Sequence, residues 1–176
     1  MEIQTKPQII EALEEAYAEL LKWLRHHDDN KFEIPEAPGK WSAGQHADHL
    51  IKSTVPMRKG LAMPKIALRT TFGIMNREER TYSVLREKYK KALADGGQAF
   101  GRYLPKEIKN EQKEELCKQL SYELEQIKKV LEKWDEKKLS KYILPHPLLG
   151  KFSIREMMYF TIFHTHHHLD ILKNRY

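Results

Sequence analysis

The stretch FSIREMMYFTIFHTHHHLDILKNRY, residues 152–176, decides how this chain folds. Ser153 and Glu156 stand three apart, the spacing at which a helix N-cap and its third residue exchange hydrogen bonds. Phe152 and Met157 bracket them as a hydrophobic staple does. From there Ile154, Met157, Thr161, His164, His168, Ile171/Leu172 and Tyr176 recur at steps of three and four, one face of a helix that reaches the end of the chain. His164 and His168 therefore fall on the inward face, about one turn apart. An unpartnered imidazole is costly in a core; two of them ask for a compensating partner, and a bound cation is one. His166 falls on the opposite side and reads as exposed, with His167 between. Both read as surface or supporting residues. The run is not a tag remnant, because Thr165 interrupts it and the apolar pattern resumes at Leu169, Ile171 and Leu172.

Three more segments carry the helical period. Over about 6–28, Ile10, Leu13, Tyr17, Leu20 and Leu24 form a stripe, with Thr5 and Gln8 as a capping box. The second begins at WSAGQHADHLIKS (41–53), where Ser42 and Gln45 repeat that box, and Pro56 and Gly60 are expected to limit it. The third covers about 108–134, with Leu116, Leu120, Leu124, Ile127, Leu131 and Trp134 on one side and Lys and Glu on the other. The connection from about 57 to 107 is long and holds one smaller helix, about 80–94, closed by Gly96 and Gly97. No segment alternates as a half-buried strand bounded by hairpin signals does. We expect an all-α fold, a single domain over 1–176: a four-helix bundle in up-down-down-up order with a long crossover carrying an extra short helix.

The second helix offers His46 and His49 to face the last one. His46 follows the Ser42 cap by four and reads as a packing residue beneath Trp41. His49 lies about one turn further in. The candidate site is then His49, His164 and His168, three neutral imidazoles that leave a fourth position open. H-x-x-x-H lacks the Glu that follows the first His in a metalloprotease, since Thr165 stands there. On spacing alone, a metal site and hydrogen-bonded core histidines both remain open. Imidazole suits several transition metals.

Composition narrows the class. Of the 176 residues, 40% are hydrophobic and 32% charged, as in a helix-rich globular domain. No apolar run approaches the ~18–20 residues of a membrane span, and the first residues have no apolar signal-peptide core. Cys117 is the one cysteine, which excludes an intrachain disulfide and Cys-based zinc sites and suits a reducing cytoplasm. The net charge is +6. Residues 51–106 hold 13 Lys/Arg against 4 Asp/Glu, hence +9, so this segment reads either as a solvated face or as a rim for an anion. No nucleic-acid module is recognisable, and neither nucleic acid nor membrane is an expected partner. Trp41, Trp134 and Tyr122 read as core or rim packing. His26 and His27 close the first helix, and Cys117 is an incidental thiol. Asp48 points away from His49, and His146, in LPHPLLG, either approaches the mouth of the site or, as we expect, is a surface-loop residue.

With KWSAGQHADHLIKS (40–53) and HPLLGKFSIREMMYFTIFHTHHHLDIL (146–172) both quoted, the chain resembles the DinB superfamily of metal-binding four-helix bundles over nearly its whole length. GRYLPKEI (101–108) resembles a DinB-like subgroup. The resemblance implies an up-down-down-up bundle and a divalent metal, zinc or nickel foremost, on His49, His164 and His168. It also implies a homodimer. His166 departs from the commoner pattern, in which a carboxylate or amide often stands there. The activity implied is a thiol-dependent transferase or a hydrolase of small electrophiles, working through a metal-bound water or a low-molecular-weight thiol. The alternative is a non-catalytic metal-binding stress protein.

Overall fold

Side-chain caps start three of the four long helices. The computed structural model describes residues 3–175, with Asp29 and Asn30 described by their backbone alone. Helix α1 (Lys6–His26) has both bonds of the Thr5–Gln8 capping box. After a single turn, α2 (Asp29–Phe32), helix α3 (Ala43–Leu61) opens on the Ser42–Gln45 box. The crossover holds α4 (Lys65–Phe72) and α5 (Tyr82–Ala94). A 3₁₀ turn at Asn110–Gln112 leads into α6 (Lys113–Glu132), and the short α7 (Glu136–Leu139) follows. An antiparallel hairpin of β1 (Ile143–His146) and β2 (Gly150–Ser153) then feeds α8 (Ile154–Arg175). The Ser153–Glu156 exchange is present, each backbone N–H donating to the other side chain at 3.0 Å.

Contacts at the helix ends fix the directions. Lys6, at the start of α1, donates to the carbonyl of Trp134 just past α6, and Lys113, at the start of α6, donates to the carbonyl of His27. These two helices are antiparallel. The Trp134 indole N–H donates to the carbonyl of Leu61, which puts the far ends of α3 and α6 together and makes them parallel. Arg155 at the start of α8 reaches the carbonyl of Gln4, and Lys173 near its end pairs with Glu19, so α8 runs with α1. His46 at the start of α3 meets His168 near the end of α8. The order is up-down-down-up. The core lies between the helices, with Leu13, Tyr17 and Leu20 of α1, Leu50 of α3, Leu120 and Ile127 of α6 and Met158 and Leu172 of α8 all buried.

Several details depart from the sequence reading. Helix α3 runs through Pro56 and ends at Leu61, one residue past Gly60, the other residue expected to limit it. Thr54, Met57, Gly60 and Leu61 are buried around the proline, and that packing outweighs the lost N–H. Gly60 lets Leu144 approach closely, since a Cβ would lie 2.7 Å from Leu144 Cδ2 and that side chain would have to shift. Helix α4 is a second helix in a crossover expected to hold one, and α6 begins at 113 rather than about 108. The hairpin adds strands to a fold expected to be wholly helical; Pro145 and Pro147 conceal them, since proline argues against a strand. Tyr122 does not pack but is 56% exposed. Cys117 is fully buried, and burial pushes its thiol up. Tyr176, assigned to the inward stripe of the last helix, lies outside the described residues.

Part of the basic excess of 51–106 is consumed inside the fold. Glu156, fully buried, accepts from Arg77 at 2.6 and 2.7 Å and from the Arg80 N–H at 2.8 Å. These bonds pin the crossover to the root of α8. Arg58 likewise forks onto buried Glu123 of α6 at 2.5 and 3.2 Å. Among the described residues no helix is long and apolar enough to cross a membrane.

Candidate metal centre

The antiparallel pairing of α3 and α8 sets the second turn of one against the later turns of the other. His49 projects from α3, and His164 and His168 project one turn apart from α8. All three are buried. His164 Nε2 lies 3.2 Å from His49 Nε2 and 3.0 Å from His168 Nε2. Each ring offers one nitrogen to a cluster whose members lie within 4.8 Å of one another. Nitrogens bound to one cation at ~2.0–2.1 Å stand about 2.9 Å apart at a right angle and about 3.3 Å apart at a tetrahedral one. The two spacings from His164 fall between those values, and all three nitrogens lie within 4.8 Å of one another.

The protonation pattern tells the same way. His49 Nδ1 lies 2.7 Å from the carbonyl oxygen of Tyr103. A carbonyl only accepts, so Nδ1 carries the proton and Nε2 presents its lone pair to the cluster. His164 Nε2 stands between that nitrogen and His168 Nε2, and a single proton there can serve only one of them well. A divalent cation accepts from all three. Burial lowers the pKa of His49. His164 and His168 are held well below the ordinary imidazole range, by burial first and by the neighbouring imidazoles second. Neutral rings are what a metal site requires. The donor set fits a divalent cation.

A second layer holds the rings. His168 Nδ1 meets His46 Nδ1 at 2.7 Å. His46 is thus more than a packing residue beneath Trp41, although its ring does meet the Trp41 ring edge-on at 5.6 Å. Burial, with His49 nearby, lowers the His46 pKa to about 3. The spacing of three between His46 and His49 already placed both on one side of α3; that signal was available. The Tyr103 carbonyl had none, being backbone in a 3₁₀ turn, Gly101–Tyr103. Asp48 does point away from the cluster, and its carboxylate fastens this turn. It accepts from the Lys106 N–H at 3.0 Å and pairs with Lys52, whose ammonium also donates to the Leu104 carbonyl at 2.8 Å.

The three rings meet a cavity of about 830 Å³. Its wall is mainly apolar and aromatic, including Trp41, Tyr89, Phe100, Leu148 and Phe160, while Lys40, Lys59 and Arg102 contribute basic groups. No Asp or Glu lines it among the described residues. His146 corrects an expectation: it is not on the surface but 7% exposed, and it lines this cavity. His166 is half-buried rather than exposed. His167 is half-buried too, and its ring lies edge-on to Tyr89.

The profile of the DinB superfamily matches residues 12–172. No curated protein matches the chain. Two solved structures share its fold. TT2238, described as a four-helix bundle protein, aligns with a TM-score of 0.61 at 19% identity over 97% of this chain and 99% of its own. YfiT from Bacillus subtilis, described as a probable metal-dependent hydrolase with an unusual four-helix bundle topology, aligns with a TM-score of 0.59 at 17% identity, covering 97% and 85%.

Proposed function

The chain belongs to the DinB superfamily, and from that premise we propose that it is a divalent-metal-dependent hydrolase of small, largely apolar electrophiles. The observation that carries this reading is the convergence of three Nε2 atoms, 3.0 and 3.2 Å apart, on one side of a roomy apolar cavity. The description of YfiT as a probable metal-dependent hydrolase supports the same direction.

In this mechanism His49, His164 and His168 would hold the cation, with zinc or nickel the metals proposed. When bound, such a cation supplies a Lewis acid that polarises a carbonyl and lowers the pKa of a bound water or thiol. The Tyr103 carbonyl and His46 fix the rings of His49 and His168, so little reorganisation is needed on loading. Trp41 lies against His49 and His168, at centroid distances of 4.9 and 6.2 Å, and shields that side from water. The aromatic wall binds the apolar part of the substrate. With no Asp or Glu on the wall among the described residues, proton transfer falls to imidazole, phenol or solvent.

A second reading, transfer of a low-molecular-weight thiol to the electrophile, is favoured by Lys40, Lys59 and Arg102, which suit a carboxylate-bearing thiol. One assay separates the readings. The zinc-loaded protein is incubated with a panel of small aryl esters and lactones, with and without glutathione or cysteine. Hydrolysis without thiol that is abolished by a chelator and by His164→Gln supports the proposal. Product formed only with thiol moves the assignment to the transferase. Turnover insensitive to both chelator and substitution contradicts a metal enzyme of either kind.

A further inference from the structure

His146 ends β1 and pairs in register with Gly150 across the hairpin turn, where Gly150 takes a φ of 79°. Inside the turn the backbone N–H groups of Leu148 and Leu149 both point at the ring of His146, donating to Nδ1 at 3.2 and 3.1 Å. Two donors on one nitrogen leave it no proton. The neutral ring therefore carries its proton on Nε2. The ring lies flat on Phe152, with centroids 4.9 Å apart, and edge-on to Phe160 at 4.3 Å. Phe160 in turn stacks on His164 at 4.8 Å. His146 is thus one aromatic layer from the three-histidine cluster. It lines the same cavity, and among the described residues its ring's hydrogen bonds are the two to Nδ1, with none engaging Nε2. Burial, with Lys88 nearby, lowers its pKa to about 4, so the ring stays a neutral donor near pH 7.

We propose that His146 is a specificity-determining residue whose Nε2–H donates to an acceptor oxygen, such as a carbonyl, on an otherwise apolar ligand in the cavity. This rests on the reading of that cavity as the substrate site, and it deepens that reading: hydrocarbon-like molecules fit the wall, but those bearing a carbonyl are selected. The backbone bonds to Nδ1 hold the donor in place before any ligand arrives, so no ring rotation or tautomer change is needed on binding.

The test uses a matched pair, 4-phenylbutan-2-one and butylbenzene, which differ by a carbonyl in place of a methylene. Both are titrated into the chelator-treated full-length protein, so that no metal can receive the ketone, and then into the zinc-loaded protein. His146→Asn keeps an oxygen where Nδ1 stands, to satisfy the turn, and removes the donor; His146→Gln places an amide N–H near the position of Nε2. The expected result in chelated protein is an about fivefold loss of ketone affinity in the Asn variant, with butylbenzene unchanged and the Gln variant close to wild type. Imidazole ¹H–¹⁵N correlation spectra of the wild type should show His146 protonated at Nε2 and that nitrogen shifting with the ketone but not with butylbenzene. Equal ketone affinity in wild type and the Asn variant, parallel loss of both ligands, absence of ketone binding, or a proton found on Nδ1 each overturns the proposal. Failure of zinc to load would sink the metal-enzyme reading while leaving the chelated-protein comparison intact.

Discussion

Nδ1 of His49 stands 2.7 Å from the carbonyl oxygen of Tyr103, and that contact couples the metal candidate to a turn outside the bundle. The turn is held by Asp48 and Lys52, on the helix that carries His49. A surface loop thereby sets the orientation of a buried ring.

Loosening the turn should weaken metal binding without touching a ligand. Asp48→Ala removes the acceptor of the Lys106 N–H. We expect zinc affinity, measured by competition with a chromophoric chelator, to fall about tenfold while stoichiometry is kept. Unchanged affinity would show that the Tyr103 contact is incidental.

Acid should destabilise the metal-free protein over a defined window. His46 and His146 have folded pKa values lowered to about 3 and about 4, below the ordinary imidazole value near 6.5. Above pH ~6.5 both states hold these rings neutral and stability is flat. As pH falls below ~6.5 the unfolded chain takes up protons that the folded one refuses, and stability declines down to the folded values. Thermal melts of chelated protein between pH 8 and 5 should show this. Zinc should raise the melting temperature across this range without moving the onset of the decline, which the imidazoles of the unfolded chain set.

Glu156 tests the crossover's anchorage. Its carboxylate accepts from Arg77, from the Arg80 N–H and from the Ser153 N–H that starts α8. Glu156→Gln leaves Arg77 facing a neutral group and should cost about 3 kcal/mol in urea denaturation. Metal stoichiometry should stay the same, since the cluster lies towards the other end of α8.

Gly44 tests a close approach early in α3. A Cβ there would lie 2.5 Å from Ile108 Cγ2 and 2.8 Å from Phe32 Cε1. Gly44→Ala should cost about 1–3 kcal/mol by overpacking, despite the better helix propensity of alanine. A gain in melting temperature would show that Ile108 and Phe32 move aside freely.

The four long helices were legible because each writes its own period and three write their caps. The inward face of α8, and with it His164 and His168, followed from steps of three and four. His49 followed from the facing helix. The hairpin was hidden by Pro145 and Pro147, and α4 by a crossover whose short apolar pattern is weak. His146 was legible only as the less favoured of two readings, because its burial depends on a turn folding back over Phe152 and Phe160. Tyr103 contributes a carbonyl, and a backbone group leaves no mark on residue identity. Local periodicity locates ligands on helices; the groups that orient them arrive through tertiary contacts.

The central claim is tested most directly by counting zinc on the wild type and on His164→Gln, each freed of metal, reloaded and analysed by elemental analysis alongside a calorimetric titration. The account predicts about one zinc per chain in the wild type and a near-complete loss of stoichiometric binding in the variant, with the helical circular dichroism retained. Zinc bound equally by both, or by neither, would contradict it.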